Sequence, residues 1–138
     1  MQRVRVLQHS IGQVRLVKFI MPPAATRAEI AGVFRRMADD CVERGMRGAL
    51  VIDEDRPAAS QADVKAAVSL LDLSTVPENF RLAVVAFRKP AYDAYRYALA
   101  TLADSPGRAE LFWNELDAVQ WLRSQFSQAA TSPSLRLG

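Results

Sequence analysis

The sequence predicts one α/β domain with a five-stranded mixed sheet and four helices. Three observations carry this. Residues Phe80 to Ser124 alternate strand, helix, strand, helix. Ala49–Ile52 is a short, uniformly apolar run between two segments of helical periodicity, as a strand buried on both faces should be. The chain opens on two β-type runs separated by turn chemistry, which makes a hairpin. A helix between successive strands makes those strands parallel with right-handed crossovers, so the hairpin supplies the antiparallel edge. A chain of 138 residues buries ~68% of its unfolded surface, enough for one core without metal or disulfide staples.

Each element has its own signal. Arg3–Leu7 alternates arginine and valine, the pattern of a half-buried strand with a basic face. His9-Ser10-Ile11-Gly12 supplies the hairpin turn, with Gly12 free to take positive φ. Gln13–Ile20 returns, apolar on both faces, and Pro22-Pro23 stop it because neither has an N–H for the ladder. Thr26 and Glu29 form a T-x-x-E capping box. Ile30, Val33, Phe34, Met37, Cys41 and Val42 then give one apolar stripe to about Arg44, where Gly45 is a suitable C-cap. Arg35, Arg36, Asp39, Asp40 and Glu43 fill the outer face. After Ala49–Ile52, Asp53–Pro57 is a polar loop. Ser60 and Asp63 cap a helix whose stripe is Val64, Ala67, Val68 and Leu71. Phe80–Phe87 is a strand, and Arg88-Lys89-Pro90 opens a helix to about Ala103, with Pro90 suited to its first position. Ala109–Trp113 is a short strand. Asn114 starts the last helix, carrying Leu116, Val119, Trp121 and Leu122. The expected domain is 1–126, with a flexible tail over 127–138 where periodicity is lost.

Composition narrows the function classes. The formal charge is +3, a slight basic excess without the clustering that nucleic-acid binding requires. Arg3, Arg5, Arg15 and Lys18 on the hairpin would make a basic strip if they share a face. The one cysteine cannot form an intramolecular disulfide, which fits a reducing cytoplasm. No apolar run reaches the ~18–20 residues of a membrane span, and the first residues do not read as a signal peptide. The chain is therefore read as cytoplasmic, with nucleic acid a minor alternative as partner.

The order of elements and the residues of the last third together resemble the STAS-type proteins, the fold group of the sporulation anti-sigma factor antagonists. The likeness is to the small bacterial branch grouped with CRAL-TRIO lipid-exchange domains. It is carried by Arg81–Phe87, by the Tyr92–Leu99 helix with Arg96, and by the close. There Ala109–Trp113 leads into Asn114-Glu115-Leu116-Asp117-Ala118-Val119-Gln120-Trp121-Leu122: short strand, acidic cap, alanine, Trp-Leu. The resemblance implies a STAS-like fold and a regulatory or binding module without catalysis, working through a protein partner or a small anionic or apolar ligand. Its lipid-exchange relatives imply an alternative, a carrier or enzyme with a pocket between sheet and helices. The antagonists carry a phosphorylatable serine in a Ser-Gly-Leu context at the start of the helix after the central strand. Ser60 falls near that place without the Gly-Leu context; as a plain N-cap it would contribute ~1 kcal/mol.

Candidate chemistry lies along one edge. Asp53, Glu54 and Asp55 leave a buried strand at its C-terminal end, where open α/β sheets bind ligands. Such carboxylates would hold Mg²⁺ or serve as acid and base, or simply form a solvated loop. Arg88 and Lys89 leave the next strand before a helix N-terminus, an arrangement for a phosphate or lipid head group; the alternative is pairing with Asp53–Asp55. Tyr95 is expected in the core. Tyr92 and Arg96, four apart, would line a groove or a contact between two copies of the chain. The ligand-binding candidates are thus Asp53, Asp55, Arg88, Lys89, Tyr92 and Arg96. With one histidine, His9, one cysteine, Cys41, and no Gly-rich phosphate loop or zinc motif, no catalytic residue, metal or cofactor is assigned.

Overall fold

A computed structural model of the chain describes residues 4–22, 26–54, 61–71, 73, 76–102 and 107–137, with side chains for these except 61, 62 and 128–137. The elements are β1 (Arg5–Ile11), β2 (Val14–Met21), α1 (Arg27–Arg44), β3 (Gly48–Asp53), α2 (Gln61–Val68), β4 (Arg81–Ala86), α3 (Lys89–Thr101), β5 (Ala109–Phe112) and α4 (Glu115–Leu137). The five strands lie in space in chain order, β1 antiparallel to β2 and the rest parallel. This is the single-domain α/β architecture expected, with its five-stranded mixed sheet and four helices.

Strand order decides what covers each face. Right-handed crossovers that always step the same way place every crossover helix on the same side. The packing agrees. Phe19, Val51 and Val84 point into a core with Phe34 and Met37 of α1, Val64 and Val68 of α2, and Ala94 and Tyr95 of α3. Their strand neighbours Leu16, Ile20, Leu50, Ile52, Ala83 and Val85 point the other way, against Ala118, Leu122 and Phe126 of α4. One side of the sheet therefore has three helices and the other has one. Each fully buried aliphatic or aromatic side chain in these layers contributes about 1.5–3 kcal/mol of transfer free energy.

Close approach on the single-helix side depends on Gly48. A Cβ there would meet the Arg81 carbonyl oxygen at 2.9 Å and the Phe126 ring at 3.0 Å. Thr26 and Glu29 form the reciprocal capping box of α1, and Gly45 closes the helix at φ 65°, a conformation that glycine adopts without a Cβ penalty.

Several expectations need correction. The hairpin turn is only Gly12-Gln13, because β1 continues through His9 and Ser10 until Ile11 pairs with Val14. A two-residue loop needs positive φ, which Gly12 supplies at 62°. Val42 is not on the buried stripe of α1 but 67% exposed, whereas Asp40 is buried; its carboxylate sits 3.4 Å from Arg36 and 3.9 Å from Arg44. Of the basic residues on the hairpin, Arg5 and Lys18 share the α4 side of the sheet, since Arg5 pairs with Ile20 and Lys18 with Leu7, whereas Arg15 faces the other way. Lys18 is bound to Glu115 of α4 at 2.6 Å, and Arg3 lies outside the described residues. On α4 the buried stripe is Ala118, Leu122 and Phe126, while Leu116 is 67% exposed and Trp121 is half-buried against Phe112. The α4 backbone stays helical to Leu137, beyond the end expected near Phe126.

Candidate functional site

The C-terminal ends of the parallel strands form a rim. Asp53 closes β3, Phe87 and Arg88 follow β4, and Trp113 follows β5. The rim sorts the candidate residues into interior and surface.

Asp53 belongs to the interior. It is 2% exposed, and its Oδ2 accepts a hydrogen bond from the Tyr95 hydroxyl at 2.7 Å. The next amide, Glu54 N–H, donates to the Met21 carbonyl at 2.9 Å, continuing the sheet past the last strand residue. This corrects the reading of Asp53 as the start of a solvated loop: a sheet bond carries the backbone on, and the side chain turns toward α3. Tyr95 is fully buried and packs near Phe34, their rings 6.4 Å apart. The Asp53–Tyr95 bond ties a strand end to a crossover helix 42 residues later in the chain. Asp55 and Ser60 lie outside the described residues. Among the described residues, no three His, Cys, Asp or Glu side chains are grouped to hold a metal ion.

The start of α3 is exposed. Arg88 is its N-cap and makes no side-chain cap bond; its carbonyl accepts from Tyr92 N–H at 2.8 Å. Lys89 is engaged by Asp93 one turn on, at 2.7 Å. Pro90 has no N–H, which removes one first-turn donor that an anion could use.

Tyr92 brings a residue that the sequence reading did not single out. Its ring stacks on Trp113, with centroids 3.7 Å apart and planes within 3°. Trp113 is 48% exposed and Phe87 46%. Trp113 leaves β5 one residue past the last rung, Val85–Phe112, and alternation turns it to the α3 side, where Tyr92 lies. A tryptophan one step past a short parallel strand was the available signal. Tyr92 and Arg96 also line a groove of about 480 Å³ between α3 and β5, with Leu99, Glu110 and Leu111. Among the described residues Arg96 has no carboxylate partner. Among the described residues β5 is the last strand of the sheet.

Nucleophile chemistry finds no support at His9 or Cys41. His9 pairs with Leu16 across the hairpin and so faces the α4 side. Cys41 is buried in the core on the other side. Burial, helped by the neighbouring Asp40 carboxylate, pushes the Cys41 thiol up to about 12, so it stays protonated and unreactive at neutral pH. Compared with family models, with curated proteins and with solved structures, the chain matches none.

Proposed function

We propose that this domain is a non-enzymatic, STAS-like regulatory or binding module that docks a protein partner on the rim where β4, α3 and β5 meet. The observation that carries the reading is the Tyr92–Trp113 stack at the rim, with Trp113 48% exposed and Arg96 on the same helix without an ion-pair partner among the described residues. Aromatic rings and arginine dominate the energetics of protein contacts, because large rigid surface is desolvated at low entropic cost. Holding Trp113 flat against Tyr92 prepays part of that ordering. The partner surface that fits offers an apolar side chain to the stacked rings and a carboxylate to Arg96. The element order and the residues of the closing strand and helix support the family part of the proposal.

Affinity capture from the native host, run in parallel with Trp113→Ala and Arg96→Glu, tests it. A protein retained by the wild-type chain and lost from both variants is the expected result. Equal recovery by all three, or recovery of none, refutes the rim as a docking surface.

The groove beside Tyr92 and Arg96 favours a second reading, a small amphiphilic ligand in place of a protein. At about 480 Å³ it falls within the range of small-molecule sites. Mass spectrometry of protein taken from its host under native conditions distinguishes the two. A co-purified small molecule, released by Arg96→Glu, would favour the second.

A further inference from the structure

Each parallel strand has an arginine at or next to its first residue. Arg15 is the second residue of β2, Arg47 precedes β3, Arg81 opens β4 and Arg108 precedes β5. Their backbones are joined across the sheet. Arg47 N–H donates to the Arg15 carbonyl, Arg81 N–H to the Arg47 carbonyl, and Leu82 N–H to the Arg108 carbonyl, at 2.8–3.1 Å. This row lies at the end of the sheet opposite the aromatic rim.

The four side chains do different work. Arg81 donates to the carbonyls of Glu78 and Phe80 and to Gln125. Arg108 donates to the carbonyls of Leu73 and Pro77. Both are clamps on the loop before β4. Arg15 donates one N–H to the Arg44 carbonyl at the end of α1, at 2.7 Å, which fixes its guanidinium at the negative end of that helix and leaves other donors available. Arg47 and Arg123 have no carboxylate or hydrogen-bond partner for their side chains among the described residues.

Arg15, Arg47 and Arg123 come from three separate elements and line one cleft of about 660 Å³. Among the described residues no carboxylate lines it; its apolar wall includes Val14 and Phe126. Gly12 leaves its mouth open, since a Cβ there would meet nothing within 4 Å. We infer that this cleft binds a small phosphorylated ligand, whose phosphates the guanidinium groups of Arg15, Arg47 and Arg123 hold and whose body rests on Phe126 and Val14. Guanidinium forks match phosphate oxygens two at a time, which favours a phosphate over a single carboxylate. The volume suits a molecule larger than inorganic phosphate. A nucleic-acid strand fits less well. It needs a continuous basic track, and Arg81 and Arg108 are taken up by backbone carbonyls.

Titration calorimetry with inorganic phosphate, inorganic pyrophosphate and a nucleoside diphosphate tests the site. The diphosphates should bind with a dissociation constant below about 1 mM, more tightly than phosphate, and more weakly as salt rises. Arg47→Glu and Arg123→Glu should each weaken binding by about tenfold or more, consistent with losing one partner of a close charge pair. Their melting temperatures should stay near that of the wild-type chain, since neither side chain has an ion-pair or hydrogen-bond partner among the described residues. Arg96→Glu, at the other end of the sheet, should change nothing, which separates this site from the rim. No binding of any of the three probes below about 1 mM, or equal binding by the Arg47→Glu/Arg123→Glu double variant, overturns the inference. So does binding confined to single-stranded nucleic acid or to anionic vesicles with all three small probes silent.

Discussion

Replacing Tyr95 with phenylalanine removes one hydroxyl from the junction of β3 and α3 and little else. Ring volume and packing against Phe34 are kept, so no cavity is opened. What is lost is a 2.7 Å hydrogen bond to a carboxylate that is 2% exposed. Water cannot easily replace the missing donor at that depth. Hydrogen bonds to charged groups contribute about 1.5–3 kcal/mol, and leaving one partner buried and short of a donor incurs its desolvation cost. Tyr95→Phe should therefore destabilise the domain by about 2 kcal/mol. Urea unfolding followed by circular dichroism should show a lower midpoint at unchanged slope. The companion measurement is the same substitution in an Asp53→Ala background, where the hydroxyl has no carboxylate to serve and its removal should cost under ~0.5 kcal/mol. A single-variant loss below ~0.5 kcal/mol, or strict additivity of the two changes, would show that the bond does not hold the strand end to the helix.

Three further outcomes follow from the packing. Leu122→Ala should cost ~2–5 kcal/mol and Trp121→Ala only ~1–2, because Trp121 is half-buried against Phe112; chemical denaturation that ranks them the other way would contradict the placement of α4. Gly48→Ala should cost ~1–3 kcal/mol through overpacking, and less when Phe126 is also shortened to leucine; a change within ~0.5 kcal/mol would mean the strand and helix can part freely. Cys41 is raised from 9.0 to about 12 in the folded state, so the folded chain holds that proton after the unfolded chain has lost it. Its contribution is intact below pH 9.0 and is lost as pH rises toward about 12. The stability difference between the wild-type chain and Cys41→Ala should therefore shrink across that interval, and a thiol reagent at neutral pH should label the native protein only as fast as it unfolds.

The order of elements was legible because each signal is local. A T-x-x-E box, a uniformly apolar tetrapeptide and a proline in a first turn act within a few residues. What was not legible depends on partners distant in sequence. Asp53 reads as solvated until Tyr95 is placed against it. Val42 and Leu116 have the right chemistry for a buried stripe, but the docking angle of each helix, set by the sheet, turns them outward. The hairpin was misplaced by several residues because Ser10 and His9 suit a turn as well as a half-buried strand. At the rim, Tyr92 and Arg96 stood out from their spacing, whereas Trp113 became visible only once β5 was laid beside β4. The three arginines of the basic cleft are spread over more than a hundred positions; the arginines near the strand starts were the trace of Arg15 and Arg47, while Arg123 on α4 left none.

Unequal covering of the sheet has a consequence for synthesis. The ribosome delivers α4 after all five strands and the three crossover helices, so Leu16, Ile20, Leu50, Ile52, Ala83 and Val85 wait on a bare surface until α4 emerges. Nascent domains in that condition invite association with neighbours and with chaperones. A message truncated ahead of Ala118 would yield a chain that has all five strands and three helices yet remains greasy on one side. Emergence of α4 is the step at which that surface is first covered.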